Sequence, residues 1–206
     1  MNTAKPAPPP AVSAAREGVV FLALLVLGAA VRVWLEELPN FAPVAAIALF
    51  AGYYFRSIWL AAALPLGVMA ASDWFIGGYD WRVMAVVYST LALPVLFRGP
   101  LRRWLPLKQG RIPSTALAFT GLCCTSLGAS ILFFVTTNFA HWMFFTEEPG
   151  LAGLGASYAA AIPFFRYTLA GDMSFAFLLF GGYAVAVLAG WARESRPAVN
   201  LTAAAA

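Results

Sequence analysis

Apolar residues occupy this chain in long blocks, and most charged residues fall where one block gives way to the next. The blocks predict helices over 18–38, 43–55, 58–75, 82–97, 113–137 and 173–191. A run of roughly 20 apolar residues satisfies its backbone polar groups internally and crosses the hydrocarbon of a bilayer. The stretch 40–80 organises the rest: an Asn-Phe-Ala-Pro lead-in, a short apolar run, Arg56 at a turn, a longer apolar run, then Asp73 and Asp80 among aromatic residues and glycines. It reads as an antiparallel hairpin whose first arm is short. At about 1.5 Å per residue that arm covers about 20 Å of a core about 30 Å thick. Its start is therefore expected below the outer surface, with Asn40 and Pro43 as helix-start residues. Residues 158–172, after a Gly-rich turn, are expected as an interfacial piece ahead of the last span.

Small residues recur at intervals of one helical turn at Ala63, Gly67 and Ala71, at Gly182, Ala186 and Gly190, and in shorter form at Ala48 and Gly52. Such stripes let helices approach closely. They serve either packing within the bundle or contact with a partner protein.

Composition makes the membrane assignment firm. Of 206 residues, 62% are hydrophobic and 11% charged, and the mean hydropathy is +0.79, far from a soluble globular domain. The length holds about six spans with no room for a soluble domain. The expected organisation is a disordered cytoplasmic tail over 1–15, in which Pro6, Pro8, Pro9 and Pro10 oppose helix formation, a single six-helix transmembrane domain over 16–196, and a disordered C-terminal tail over 197–206. The apolar block after Gly18 is longer than the core of a cleavable signal, so it is expected as a retained first span. The fold class is an all-α integral membrane protein with a short second helix and both termini inside. The net charge of +4 follows from topology, with no nucleic-acid partner. Lys5, Arg16, Arg56, Arg98, Arg102, Arg103, Lys108, Arg111, Arg193 and Arg196 gather at one end of the predicted bundle. Glu36, Glu37, Asp73, Asp80, Glu147, Glu148 and Asp172 gather at the other, with Arg32, Arg82 and Arg166. An excess of Lys and Arg marks the inner side. Cys123 and Cys124 are adjacent and indicate neither a disulfide nor a metal site.

In this orientation the unusual polar residues collect at or beneath the outer surface. Most have a plain role. Asn40, Asp80 and Asp172 stand where helices run inward and suit N-caps; Asn138 follows an outward-running helix and suits a left-handed cap. Trp74, Trp142 and Tyr79 suit an interfacial aromatic belt, and His141 sits on a polar loop. Arg32 and Glu36, four apart on one helix, can pair with each other. Asp73 differs, because it ends an outward-running helix and faces the negative end of the dipole. It calls for a cation, from Arg32, Arg82 or Arg166, or for a bound ligand. The N–H groups at the start of the short span would face an outer cavity and suit a carboxylate or another electron-rich group. The candidate ligand-binding set is Asn40, Asp73, Trp74, Asn138, His141, Trp142, Arg166 and Asp172. Trp74, Trp142, Phe41 and Tyr79 would form the walls around a small amphipathic molecule.

No GxSxG, HExxH, CxxC or phosphate-loop pattern occurs, and His141 has no second histidine beside it for a metal cluster. The expectation is a non-enzymatic protein without a cofactor. The segments NFAPVAAIALFAGYYF, AASDWFIGG, TTNFAHW, YAAAIPFFRYTLAGD and FGGY, in that order over residues 18–192, resemble a family of small uncharacterised bacterial membrane proteins. That family is similar to the substrate-binding S components of energy-coupling factor vitamin transporters. The resemblance implies an S-component-like bundle in the bacterial inner membrane, an extracytoplasmic ligand pocket and a separate ATPase module as energy source. One departure lies in the first span, where the adjacent Gly28, Ala29 and Ala30 replace the Ala-xxx-Ala pattern with which S components dock a membrane partner. The leading expectation is a binding or transport component that captures a small molecule at its outer face. The alternative is an accessory or scaffold subunit of a larger energy-transducing or pigment-bearing membrane complex, its phenylalanines and tryptophans packed against neighbouring helices or cofactors.

Overall fold

The blocks become helices. The computed structural model describes residues 12–109, 114–146, 148 and 150–191, and among them the chain is all-α. Helices α1 (Val12–Trp34), α2 (Val44–Tyr54), α3 (Ile58–Ile76) and α4 (Trp81–Ala92) follow in order. A 3-10 stretch, Leu93–Phe97, joins α4 to α5 (Arg98–Trp104), and α6 (Thr115–Phe145) and α7 (Leu151–Leu188) complete the bundle. Pro94 has no N–H to give to the helical ladder, which is why the ladder tightens there. Taken as one unit, Trp81–Trp104 joins α1, α3, α6 and α7 as five helices long and apolar enough to cross a membrane, with α2 as the short apolar helix beside them. Most of the predicted tails at 1–15 and 197–206 lies outside the described residues, as do Lys5, Arg111, Glu147, Arg193, Arg196 and the side chain of Lys108. Helix α1 begins at Val12, inside the segment expected to be disordered.

The core is built around α2. All its residues are buried, as expected of a helix that is apolar all round. Glycines set how closely its neighbours come. A side chain at Gly52 would collide with the backbone carbonyl of Val95, and one at Gly28 of α1 would meet Ile47 and Val68. Phe50 and Tyr53 pack edge-on against Phe180 of α7, with ring centroids 5.3 Å apart in each case. Of the small-residue stripes, the one on α3 packs inside the bundle: a Cβ at Gly67 would lie 2.8 Å from Leu25 of α1. The stripe on α7 does not, since Gly182 has open space beside it and Gly190 lies past the helix end at φ 81°.

Both termini of the described chain meet at the basic end. Arg16 donates to the carbonyl of Trp191 at 2.6 Å, and the Glu17 carboxylate accepts from the Arg56 N–H. At this end Arg102 donates to the carbonyls of Gly52, Tyr53 and Phe55, and Arg98 to those of Phe55 and Arg56. These arginines fill the last, otherwise unpaired acceptors of α2 with positive charge, where the helix dipole favours it. Exposed tryptophans ring both ends: Trp59 and Trp191 at the basic end, and Trp34, Trp74 and Trp81 at the acidic one. That is the distribution of interfacial aromatic belts.

The second half of the chain departs from the sequence expectation. Helix α6 runs to Phe145, beyond the expected end at 137, and 158–172 is not a piece separate from the last helix but part of α7. Asn138 and His141 are therefore helical and not on a cap or loop, and Asp172 is no N-cap but a mid-helix residue. Clusters of polar residues at 138–141 and 166–172 lower the local hydropathy and look like block ends. In the fold α6 and α7 lie antiparallel against each other, and Phe119 stacks on Phe177, Ser130 meets Asp172 and Tyr158 reaches Val135. At about 1.5 Å per residue these helices are about 46 and 57 Å long, more than a core of about 30 Å needs.

Candidate functional site

Helix α2 stops part-way through the bundle. At about 1.5 Å per residue it is about 16 Å long, and the space it leaves at the acidic end is a cavity of about 440 Å³. This is the size of a small-molecule site, for which about 300–1,000 Å³ is usual. Val44 and Ala45 of α2 and Met69 of α3 contribute to its lining, as do Val83, Val87 and Leu91 of α4 and Phe133 of α6. The connection 35–43 folds back into the bundle to line it as well. Turn hydrogen bonds from Leu38 to Leu35 and from Phe41 to Leu38 support this connection, and Asn40 takes φ 60°. Asparagine tolerates that left-handed conformation better than most residues. Asn40 is thus a turn residue and not the helix N-cap. That position belongs to Pro43, which supplies no side-chain cap, so the first N–H groups of α2 have no side-chain acceptor.

Asp73 finds its cation in Arg32. The two form a direct ion pair with side chains 6% and 17% exposed. Arg32 also donates to Ser72 Oγ at 2.6 Å, and Tyr88 donates to the second carboxylate oxygen of Asp73 at 2.8 Å. The Arg32–Glu36 pairing expected within one helix is not formed: Glu36 is exposed at the cavity, and the guanidinium reaches across to α3. Asp73 is therefore held behind the wall, and it is Arg32 that lines the cavity. Tyr79, in the turn after α3, lines it too. Burial first, and the negative charge of Asp73 second, push its hydroxyl up to about 12, so it stays a neutral hydrogen-bonding group at any physiological pH.

Asp172 has a different environment. It is 4% exposed and lines the cavity from the middle of α7. Ser130 of α6 donates to its Oδ2 at 2.6 Å. No basic side chain among the described residues pairs with it. The backbone beside it is tightly seated, since a Cβ on Gly171 would lie 3.2 Å from the Ala42 nitrogen and 3.3 Å from Phe41 Cα. Thr168, one turn earlier, lines the cavity as well.

The cavity thus gathers Asn40, Asn138, His141 and Asp172 from the candidate set, with Phe41 and Tyr79 among the expected walls. The Asn138 amide donates to the Phe134 carbonyl at 2.7 Å. His141 packs against Phe145, with ring centroids 5.8 Å apart. Three candidates lie elsewhere. Trp74 is 86% exposed, Trp142 packs on Phe139, and Arg166 is exposed with its guanidinium over the neighbouring Tyr167 ring. Asp80 does cap α4, accepting from the Arg82 N–H at 2.9 Å. Its hydrogen bonds to the Arg82 side chain hold it below the usual carboxylate range.

Sequence reasoning passed over Ser130, Thr137 and Thr168, and it gave Arg32 a local partner. The only signal for the first three was a richness of Ser and Thr in apolar blocks, which more often marks hydroxyls bonded to their own helix. A family of unknown function (DUF6580) matches residues 13–195. Neither a curated protein nor a solved structure matches the chain.

Proposed function

Since this chain belongs to a family of unknown function, its role has to be argued from its own cavity, and we propose that it is a non-enzymatic membrane component that binds a small amphipathic molecule. The observation that carries this is the convergence of Arg32, Asn40, Asn138, His141, Thr168 and Asp172, with Glu36, Tyr79 and Thr137 beside them, on a space of about 440 Å³ whose remaining walls are apolar, left by a helix too short to fill its place. Apolar walls with a few convergent polar groups are what orient a small guest. Polar and ionisable residues inside a membrane bundle are costly to keep and mark substrate pathways.

The basic end, where Arg16, Arg56, Arg98 and Arg102 meet, is the cytoplasmic one by the distribution of Lys and Arg. The cavity then lies toward the extracytoplasmic side of a bacterial inner membrane. Capture there is the first step of uptake. Transport by an S-component-like mechanism would be driven by a separate ATPase module, as the sequence holds no phosphate-loop pattern.

Native mass spectrometry of the protein purified from its own membrane tests this. A small molecule should accompany the unmodified chain and be absent from Val83→Trp, which fills the cavity from its α4 wall. An accessory role in a larger complex has one observation in its favour: the α7 face around Gly181, Gly182, Leu178 and Val185 is exposed. Membrane subunits co-purifying at fixed ratio with no small molecule would select that role.

A further inference from the structure

We propose that the guest is an organic cation, an amine or quaternary ammonium on an apolar body, whose charge rests against Asp172; this deepens the binding reading above and depends on it. The bundle buries two carboxylates, Asp73 and Asp172. Asp73 has Arg32 and Tyr88. Asp172 has the Ser130 hydroxyl on Oδ2, no protein donor on Oδ1 and no protein cation among the described residues. A buried ion left without its counter-charge is strongly destabilising, and inside a membrane bundle such a group pairs with something. Asp172 is also one of the residues that line the cavity.

The charge around the cavity points the same way. Arg32 is the one arginine or lysine lining it among the described residues, with His141 as a further basic side chain, and the charge of Arg32 is already matched by Asp73. Glu36 adds negative charge with no cation of its own, and Asp172 adds a buried carboxyl whose charged form a bound cation would stabilise. The start of α2 cannot make up the difference, because a helix N-terminus carries only roughly half an elementary charge. From the sequence alone that helix start suits an anionic guest. In the fold, α7 seats Gly171 against Ala42 and Phe41, and the next residue, Asp172, lines the same cavity as Ala42, Val44 and Ala45 at the start of α2. The anion is thus built in, and the complementary guest is positive. Phe41, Phe133 and Tyr79 supply the aromatic rings on which organic cations are held by ring quadrupoles.

The test uses the full-length protein in lipid nanodiscs and three probes of similar size: benzyltrimethylammonium, 3-phenylpropanoate and 3-phenylpropanamide. Calorimetric titration should show the ammonium binding at least tenfold tighter than the other two. Asp172→Asn should lower its affinity at least tenfold and leave that of the amide unchanged. The preference of the unmodified protein needs no variant, so the proposal stays open to refutation even if Asp172→Asn does not fold. Tighter binding of the carboxylate or the amide, abolished in Val83→Trp, overturns the cation while the cavity keeps its role. Ammonium affinity equal in Asp172→Asn and the unmodified chain overturns it too. Binding by none of the three overturns both readings.

Discussion

Removing Asp73 should destabilise the bundle more than removing Asp73 and Arg32 together. In Asp73→Ala the Arg32 guanidinium, only 17% exposed in the folded chain, loses its counter-charge, and breaking a buried pair from one side costs about 3–5 kcal/mol. Tyr88 also loses its acceptor, which adds about 1 kcal/mol. Arg32→Met alone leaves Asp73 with the Tyr88 hydroxyl but without its cation at the negative end of the α3 dipole, again at a cost of about 3–5 kcal/mol. In the double variant no charge is left uncompensated, and a methionine stem fills much of the space of the arginine. The cost should then fall to about 1–3 kcal/mol, since replacing a whole buried pair by apolar groups is often close to neutral. The coupling between the two sites is the difference between the summed single costs and the double cost, at least about 4 kcal/mol, well above the roughly 0.5 kcal/mol seen for independent sites. Reversible unfolding in mixed micelles, followed by circular dichroism for all four proteins, measures it. Additive single costs would refute the reasoning: the ion pair would then contribute nothing specific to stability.

Arg102→Met withdraws a cation from three carbonyls at the end of α2 and should cost about 2–4 kcal/mol; Arg102→Lys, which lacks the fork, should recover only part of it in the same unfolding assay. Gly52→Leu drives a side chain into the Val95 backbone and should cost at least about 1–3 kcal/mol, visible as a lower unfolding midpoint, whereas Gly182→Leu, with open space beside it, should leave that midpoint in place. Asp80 is held below its ordinary range by Arg82, so its contribution is present above the unfolded-state carboxylate pKa and lost as pH falls through the lower folded value; melting curves of Asp80→Asn and the unmodified chain should differ at neutral pH and converge in acid. Trp74→Ala should leave ligand retention unchanged in native mass spectrometry, because the ring is on the outer face and not in the cavity.

The lengths and polarities of blocks are local quantities, and their consequences were legible in the chain. Hydropathy located every apolar helix, though not the ends of α6 and α7, the arginines and lysines marked one end, and the brevity of 43–55 implied a helix that cannot cross and hence a space at its start. That space is the cavity. The sequence also showed that Asp73 needs compensation, from a cation or a bound ligand, because a carboxylate at a helix C-terminus opposes the dipole. It did not show which one. Glu36 is the local partner for Arg32, four residues away, but Gly28 and Gly67 let the α1–α3 interface close, and that brings the guanidinium to Asp73. Arg98 and Arg102 carry a topology signal that any basic loop would give; only the position of the 3-10 turn and α5 beside the end of α2 makes them caps. The polar residues of 138–141 and 166–172 looked like helix ends because local hydropathy cannot register that α6 and α7 continue through them, burying Thr168 and Asp172 while His141 and Arg166 stay exposed. Asp172 shows the limit most clearly. As a residue before an apolar block it is an N-cap, and only the antiparallel seating of α7 on α6 and on the start of α2 turns it into a buried carboxylate facing a cavity. Pairings of this kind depend on how closely backbones approach across the bundle, a property of several helices at once that no local pattern encodes.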